Sequence, residues 1–279
     1  MRAALIQLNS SDDPAANLPA VMSALKTAAD GGADWALTPE VTNCVSASRS
    51  RQREVLRTEA DDAMLAAVQT AAAELKLNVL IGSLALKSAD ENEDRFLNRS
   101  FLIDAEGEIT ARYDKIHMFD VEISKTETYR ESSGYRPGEQ AVLGQINDVP
   151  IGMTICYDLR FPGLYRDLSL AGAKILTVPS AFSPVTGAAH WETLLRARAI
   201  ETGSYVLAPA QTGAHAASHG RARETYGHSL AVDPWGKVLC DGGTEPGVSF
   251  VELDLSSVDD CRRRLPSLSH GRTYEGPNE

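Results

Sequence analysis

The sequence predicts a layered α/β fold, in which short apolar strands alternate with amphipathic helices. An apolar run at residues 3–8 is followed by residues 14–30, where apolar side chains recur at three- and four-residue spacings. The same alternation of strand and helix patterns returns after residue 149. In between, a short Gly-containing turn at residues 105–107 joins two strand-like runs into an antiparallel hairpin, which excludes a purely parallel sheet.

The first half of the chain contains five predicted strands and two predicted helices. Gly31 and Gly32 end the first helix as C-cap glycines do, and the second helix places Met64, Val68 and Ala72 on one face. The predicted strands are residues 3–8, 34–38, 79–84, 96–104 and 108–113, and the helices are residues 14–30 and 61–75. The polar segment 115–140 reads as a long irregular loop, and such loops are usually functional, so we expect it to shape a site.

The second half repeats the alternation of strand and helix, although no internal sequence repeat stands out. Its predicted strands are residues 149–155, 175–179, 205–209, 226–232, 237–239 and 248–253, and its helices are residues 162–171 and 189–202. A turn is expected at residues 233–236. The Gly-, Ser- and His-rich residues 212–223 are predicted to form a mobile loop.

Composition limits the classes of protein. With 279 residues, of which 43% are hydrophobic and 23% charged, the chain resembles an average globular domain, and we expect residues 1–279 to form one domain. The net charge of −11 would repel a phosphate backbone or an anionic membrane, so neither nucleic acid nor membrane is an expected partner. No apolar run approaches the roughly 18 residues of a membrane span, and the first residues lack a signal-peptide pattern, so we expect a cytoplasmic protein.

The four cysteines are far apart in the chain and include no Cys-x-x-Cys pair, so neither a disulfide framework nor a zinc ribbon is expected. Cys156 differs from the others because it ends an apolar strand just before a predicted helix. A side chain on such a turn projects above the sheet, where backbone N–H groups can stabilise a thiolate or an oxyanion. The alternative is a buried structural thiol, since free cysteine is among the most buried residue types.

Two further candidates also follow predicted strands. Glu40 comes directly after a proline that ends its strand, and Lys115 comes where the hairpin runs into the polar segment. Taken singly, charged residues in such positions are mostly solvated.

Together, however, these residues resemble the Glu-Lys-Cys triad of the nitrilase, or carbon-nitrogen hydrolase, superfamily. The matching motifs are Leu-x-Pro-Glu40, Tyr-x-Lys115-x-His and Cys156-Tyr-Asp-x-Arg-Phe-Pro. A second glutamate of that superfamily is matched by Glu131 in Tyr-Arg-Glu-Ser. The likeness covers nearly the whole chain, and residues 179–201 and 226–236 resemble the Nit branch in particular.

The resemblance implies a four-layer α-β-β-α sandwich and a thiol-dependent amidase that works as a homodimer or a higher homo-oligomer. Cys156 is then the nucleophile that forms a thioester, Glu40 the general base and Lys115 the partner of the oxyanion, while Glu131 holds substrate or tunes Lys115. His215 and His219 lack the intervening glutamate of a zincin, so we expect neither a metal nor a cofactor.

Two activities are known for the Nit branch. We expect hydrolysis of deaminated glutathione to 2-oxoglutarate and cysteinylglycine. One alternative is omega-amidase action on 2-oxoglutaramate, and another is a non-catalytic binding protein of the same fold. Both substrates carry carboxylates, and arginine binds carboxylates bidentately, so Arg160 is the expected ligand. The predicted substrate-binding residues are Arg160, Tyr157, Ser180, Phe182 and Thr186. The contacts made by residues 211–223 stay open.

Overall fold

The computed structural model describes residues 1–124 and 127–277. Its strands are β1 (Arg2–Gln7), β2 (Trp35–Leu37), β3 (Asn78–Lys87), β4 (Phe96–Ile103), β5 (Ile109–Asp114), β6 (Asp120–Ser124), β7 (Glu127–Arg130), β8 (Val142–Ile146), β9 (Val149–Met153), β10 (Ile175–Thr177), β11 (Tyr205–Ala208), β12 (Thr212–Ala214), β13 (Glu224–Tyr226), β14 (Leu230–Val232), β15 (Val238–Asp241) and β16 (Gly247–Glu252). Its helices are α1 (Pro14–Asp30), α2 (Arg49–Val55), α3 (Ala63–Leu75), α4 (Pro162–Leu170), α5 (Pro184–Thr202) and α6 (Ser256–Arg264).

Two six-stranded sheets form the centre of the molecule, with strand orders β16-β1-β2-β3-β4-β5 and β15-β14-β11-β10-β9-β8. Each sheet has the same pairing pattern. Three adjacent strands run parallel, β1-β2-β3 in one sheet and β9-β10-β11 in the other. Antiparallel strands flank each parallel group, one on one side and two on the other. The chain therefore builds one layered unit twice, although the sequence shows no repeat.

Side chains of the parallel strands are buried on both faces, as an α-β-β-α sandwich requires. Along β1, Ala3 and Leu5 join a core shared with the second sheet, whereas Ala4 and Ile6 pack against α1 and α3. This alternation follows from the two-residue period of a strand. It explains why these strands read as continuous apolar runs, and it confirms the predicted four layers.

The first helix has the bounds predicted from its end signals. Asp13 caps its N-terminus by accepting a hydrogen bond from the backbone N–H of Ala15, and Pro14 occupies the first helical position. Gly31 lies at the C-cap and donates its N–H to carbonyls of the last turn. The antiparallel pairing of β4 with β5 confirms the predicted hairpin.

Two predicted loops contain regular structure, and both predictions are wrong in that respect. The segment 115–140 contains the antiparallel pair β6–β7 and a 3-10 helix, Glu131–Ser133; residues 125 and 126 lie outside the described residues. In the predicted mobile loop 212–223, β12 pairs with β13, and the His215 side chain is only 1% exposed.

Helices α2 and α6 were not expected. Within the described residues, no helix has the length and apolarity needed to cross a bilayer.

Candidate active site

The four predicted catalytic residues meet in one cavity of about 600 Å³. Glu40 follows β2 of the first sheet, Lys115 follows β5 at the edge of that sheet, and Cys156 follows β9 of the second sheet. Glu131 opens the 3-10 helix of the segment 115–140. The predicted substrate-binding residues Tyr157, Phe182 and Thr186 line the same cavity. Its volume is in the range of about 300–1,000 Å³ that is usual for small-molecule sites.

Lys115 lies between the two glutamates and is only 2% exposed. Its Nζ is 2.9 Å from Glu40 Oε1 and 2.9 Å from Glu131 Oε2. Burial by itself would lower the pKa of this lysine, but the two carboxylates hold its pKa well above the usual value. Lys115 therefore remains a cation in the wall of the cavity.

Glu40 is 5% exposed and makes polar contacts through both oxygens. Oε1 accepts hydrogen bonds of 2.9 Å from Lys115 Nζ and from Asn98 Nδ2, and Oε2 accepts one of 2.9 Å from the backbone N–H of Ala181. Burial opposes ionisation, yet the charge of Lys115 and the hydrogen bonds from Lys115, the Cys156 thiol and Asn98 lower the pKa of Glu40. The carboxylate is therefore ready to accept a proton from that thiol.

Cys156 has a backbone φ of +51°, a left-handed conformation that non-glycine residues rarely adopt. It begins the 3-10 helix Cys156–Arg160, and its N–H donates to the Pro179 carbonyl at 3.0 Å. Burial and the negative charge of Glu40 raise the pKa of the thiol, whereas Lys115 lowers it less. The resting pair is thus a thiol beside a carboxylate, rather than a preformed thiolate.

Asp158 holds this turn in place. Its buried carboxylate accepts hydrogen bonds from the Ile155 N–H at 2.8 Å, the Tyr113 hydroxyl at 2.7 Å and the His117 N–H at 3.0 Å. Because Tyr113 and His117 flank Lys115 in sequence, the carboxylate ties the strand end that carries the lysine to the turn that carries the cysteine.

One predicted substrate-binding residue is placed wrongly. Ser180 is 0% exposed and does not line the cavity. Its N–H donates to the Pro209 carbonyl at 2.9 Å and its hydroxyl to the Val178 carbonyl at 3.0 Å. Both donors are thus used by backbone carbonyls of the protein, and the residue has no surface to offer to a substrate.

Arg160 lies beside the lining without belonging to it. Its guanidinium carbon is 5.9 Å from the ring centroid of Tyr157 and 5.6 Å from that of Phe182. Its Nη2 is 3.3 Å from Nδ1 of the exposed His190. The two rings are lining residues. A role for Arg160 as a carboxylate ligand stays a prediction.

Sequence reasoning missed several residues of the cavity wall. Asn98 is the clearest case, because its amide contacts Glu40 and its backbone carbonyl accepts the N–H of Lys115 at 3.0 Å. The sequence feature that could have identified Asn98 is its amide side chain within the largely buried strand β4, where a polar group needs a partner. The wall also carries Tyr135 and four arginines, Arg49, Arg130, Arg221 and Arg223. These come from distant segments, and no local pattern connects them.

Comparison with known proteins agrees with this geometry. The chain matches the carbon-nitrogen hydrolase family model over residues 2–263. It is 39% identical over 270 residues to the deaminated glutathione amidase of Yersinia enterocolitica, an alignment that covers 96% of this chain and 92% of the relative.

Solved structures show the same architecture. The C. elegans NitFhit protein superposes with a TM-score of 0.88 at 34% identity, covering 97% of this chain and 65% of the NitFhit chain. A mutant of the amidase from Nesterenkonia sp. AN1 superposes with a TM-score of 0.76 at 26% identity, covering 95% of this chain and 98% of that one. The latter structure shows the result of Michael addition of acrylamide at the active site cysteine of that amidase.

Proposed function

Because the chain belongs to the carbon-nitrogen hydrolase family, we propose that it hydrolyses deaminated glutathione at the amide that joins the 2-oxoglutaryl group to cysteinylglycine. One observation carries the proposal: the Glu40 carboxylate contacts both the Cys156 thiol and the Lys115 ammonium inside a cavity of substrate size. The chemistry of amide hydrolysis needs a nucleophile, a base and a cation in this arrangement.

In the acylation step, Glu40 takes the thiol proton as the sulfur of Cys156 attacks the amide carbon. The carbonyl oxygen becomes an oxyanion, which the Lys115 ammonium and the backbone N–H of Tyr157 stabilise. When this intermediate collapses, the C–N bond breaks and Glu40 gives its proton to the leaving nitrogen. Cysteinylglycine departs as a neutral amine, and the 2-oxoglutaryl group stays on Cys156 as a thioester.

Deacylation uses the same residues. Glu40, again a carboxylate, takes a proton from water as its oxygen attacks the thioester carbon. The C–S bond then breaks, Glu40 returns the proton to the sulfur, and 2-oxoglutarate is released. The raised pKa of the Cys156 thiol supports a mechanism in which proton transfer accompanies attack, since the resting sulfur keeps its proton.

Glu131 has a supporting role in this mechanism. Both of its oxygens accept hydrogen bonds from Lys115 Nζ, at 3.0 Å and 2.9 Å, and Oε2 also accepts the backbone N–H of Phe119 at 2.6 Å. These contacts fix the ammonium where the oxyanion forms and keep it charged.

The charge of the cavity supports an anionic substrate. Among the described residues, its wall carries five basic side chains and three acidic ones, although the whole chain has a net charge of −11. Relatives that share 37–44% identity with the chain carry the name deaminated glutathione amidase. The non-catalytic alternative gives no reason for burying Glu40 and Lys115 beside Cys156, because charged side chains are costly to bury.

The direct test compares kcat/KM for deaminated glutathione and 2-oxoglutaramate on the purified protein. The proposal expects at least a tenfold preference for deaminated glutathione, equivalent to about 1.4 kcal/mol of transition-state stabilisation. A preference for 2-oxoglutaramate would establish the omega-amidase alternative. Activity on neither substrate would overturn both.

We also propose that residues 1–279 act as one domain in a cytoplasmic homo-oligomer. One apolar core includes residues of both sheets, such as Leu5 and Ile151, which supports a single domain. All four cysteines are free thiols, as is usual in reducing compartments. Exposed apolar side chains on α4, α5 and the turn after β14, namely Leu170, Ile200 and Trp235, favour a subunit contact, which sedimentation measurements would test.

A further inference from the structure

Three hydrogen-bond donors of the cavity wall have no part in the mechanism above. They are Arg49 at the start of α2, Tyr135 after the 3-10 helix Glu131–Ser133, and Arg223 just before β13. All three line the cavity, and both guanidinium groups are close enough to Tyr135 to favour a negative charge there.

Arg49 is held in a fixed position. Its guanidinium carbon lies 5.1 Å from the centroid of the Tyr135 ring, and Nη1 donates to Gln52 Oε1 at 3.3 Å. Gly134 leaves room for it, since a Cβ at that position would overlap the guanidinium. A cation at the first position of a helix is electrostatically unfavourable, so Arg49 does not serve to stabilise α2.

Gln52 also orients the tyrosine. Its Oε1 faces Arg49, so its Nε2 donates to the Tyr135 hydroxyl oxygen, at 2.7 Å. The hydroxyl proton has no acceptor among the described residues. Burial raises the pKa of Tyr135 above its usual value, so the phenol keeps this proton and can donate it.

Arg223 reaches the same part of the wall from the other side. Its Nη2 donates to the Ala181 carbonyl at 3.3 Å, and the N–H of Ala181 donates to Glu40. The loop that carries Arg223 packs on the start of α2, because a Cβ built at Gly220 would lie 3.5 Å from that of Ser48. Asp12 ties the two together: its Oδ2 accepts the Ser218 N–H at 2.8 Å, and its carbonyl accepts Arg51 Nε at 3.3 Å.

Neither guanidinium contacts a carboxylate within the part of the chain that the structure describes. Nine of the 18 other arginines in this part do, for example Arg99 with Asp114 at 2.7 Å and Arg198 with Glu201 at 2.8 Å. Two such cations, held beside a neutral phenol donor, match the donor pattern that a carboxylate requires.

We propose that Arg49, Tyr135 and Arg223 form a subsite for the terminal carboxylate of the leaving group. The placement rests on the proposed function, in which Glu40 protonates the leaving nitrogen. Arg49 follows Glu40 in the chain, Tyr135 follows Glu131, and Arg223 is linked to Glu40 through Ala181. Arg160, in contrast, follows Cys156, which carries the acyl group. Deaminated glutathione has a carboxylate at each end, and the leaving group of 2-oxoglutaramate, ammonia, has none.

The test uses deaminated glutathione and its analogue in which the terminal carboxylate is a primary carboxamide. For the wild type, kcat/KM should favour the acid. Arg49→Gln and Arg223→Gln should each reduce kcat/KM for the acid by roughly tenfold or more, chiefly through KM, because a hydrogen bond to a charged group is lost. The carboxamide should lose much less, so the preference for the acid should collapse. Arg53→Gln is the matched control, because Arg53 is exposed on the same helix and does not line the cavity.

Tyr135→Phe and Arg49→Lys provide variants that disturb packing less. Both should lower the ratio of kcat/KM for the acid to that for the carboxamide, and thermal unfolding checks that they fold. Equal losses for acid and carboxamide in folded variants would overturn the subsite while leaving the proposed function intact. A wild-type enzyme that turns over neither compound would instead overturn the proposed function.

Discussion

Cys156 and Val41 both hold the left-handed backbone conformation, with φ of +51° and +47°. Each such residue costs on the order of 1–3 kcal/mol, and strain of this kind collects at functional sites. Cys156 is the proposed nucleophile, and Val41 follows the proposed base. The Val41 N–H donates to Ser83 Oγ at 2.8 Å, and the Cys156 N–H to the Pro179 carbonyl at 3.0 Å, so neighbouring segments hold both turns.

Replacing Glu40 or Lys115 should remove most of the activity. Glu40→Gln eliminates the base and Lys115→Met the cation, so each should reduce kcat by at least about 10²-fold. Their combined effect should fall far short of the product of the two, because the groups act as a unit. Steady-state kinetics measures this, with Glu139→Gln as a control for an exposed glutamate outside the cavity. Rates near those of the wild type for either single variant would show that the roles are assigned wrongly.

Asn98→Ala should act through Glu40. The hydrogen bond from Asn98 Nδ2 helps to hold the pKa of Glu40 below its usual value, and its loss should raise that pKa. Since the mechanism needs the carboxylate, kcat/KM falls as pH drops through this pKa. The variant should therefore lose activity at a higher pH than the wild type, and kcat should fall by roughly tenfold.

The matched control for this experiment is Asn78→Ala, since that side chain donates to the Asp34 carbonyl on the surface. An unchanged acid limb in Asn98→Ala would assign Asn98 a purely structural role.

At the scale of the residue, motifs predicted Glu40, Lys115, Cys156 and Glu131, whose positions in the cavity the structure now gives. They did not predict Asn98 or Tyr135, since the partners of these side chains are distant in the chain, as in the 83-residue separation of Gln52 from Tyr135. Ser180 was predicted wrongly because its place beside Phe182 says nothing of which way its donors point.

Among the elements, the long helix α1 was predictable, whereas the two-stranded pairs β6–β7 and β12–β13 were not. Helix α1 carries its own cap residues, so its bounds follow from local sequence. Strands β12 and β13 have three residues each and exist because they pair with each other across an intervening loop. The Gly- and Ser-rich composition of that loop predicted mobility, but hydrogen bonds from His215 to the Ser10 carbonyl and from the Ser218 N–H to Asp12 hold it in place.

His215 should make this element sensitive to pH. Its Nδ1 lies 2.8 Å from the Ser10 carbonyl and its Nε2 lies 2.7 Å from Thr225 Oγ1, so the neutral ring satisfies both partners. Burial lowers the pKa of His215 to about 4 from an ordinary 6.5. The unfolded chain therefore binds the proton at a higher pH than the folded protein does.

The histidine contributes its full stability above pH 6.5, and this contribution is lost progressively as pH falls towards 4. The loss amounts to about 3 kcal/mol of the free energy of unfolding. Denaturant unfolding between pH 7.5 and 4 measures it. His215→Gln, which can still donate and accept but does not titrate, should depend less steeply on pH in this range. Equal pH dependence in both proteins would contradict the assignment.

For the whole molecule, the sandwich itself assembles the site. Glu40 and Lys115 belong to one sheet and Cys156 to the other, so the cavity exists only when the two sheets pack together through their shared core. The resemblance to the carbon-nitrogen hydrolases predicted this arrangement. The arginine-rich part of the wall was not predicted, because it combines α2 with a loop more than 160 residues further along the chain.

Trapping the acyl-enzyme tests the central claim most directly. Wild type quenched during turnover of deaminated glutathione should show, by intact-mass spectrometry and peptide mapping, a 2-oxoglutaryl adduct on Cys156. Cys156→Ala should show neither adduct nor turnover, whereas Cys44→Ala, which removes another buried thiol of the cavity wall, should still form the adduct. An active Cys156→Ala enzyme, or an adduct on any other residue, would contradict the account.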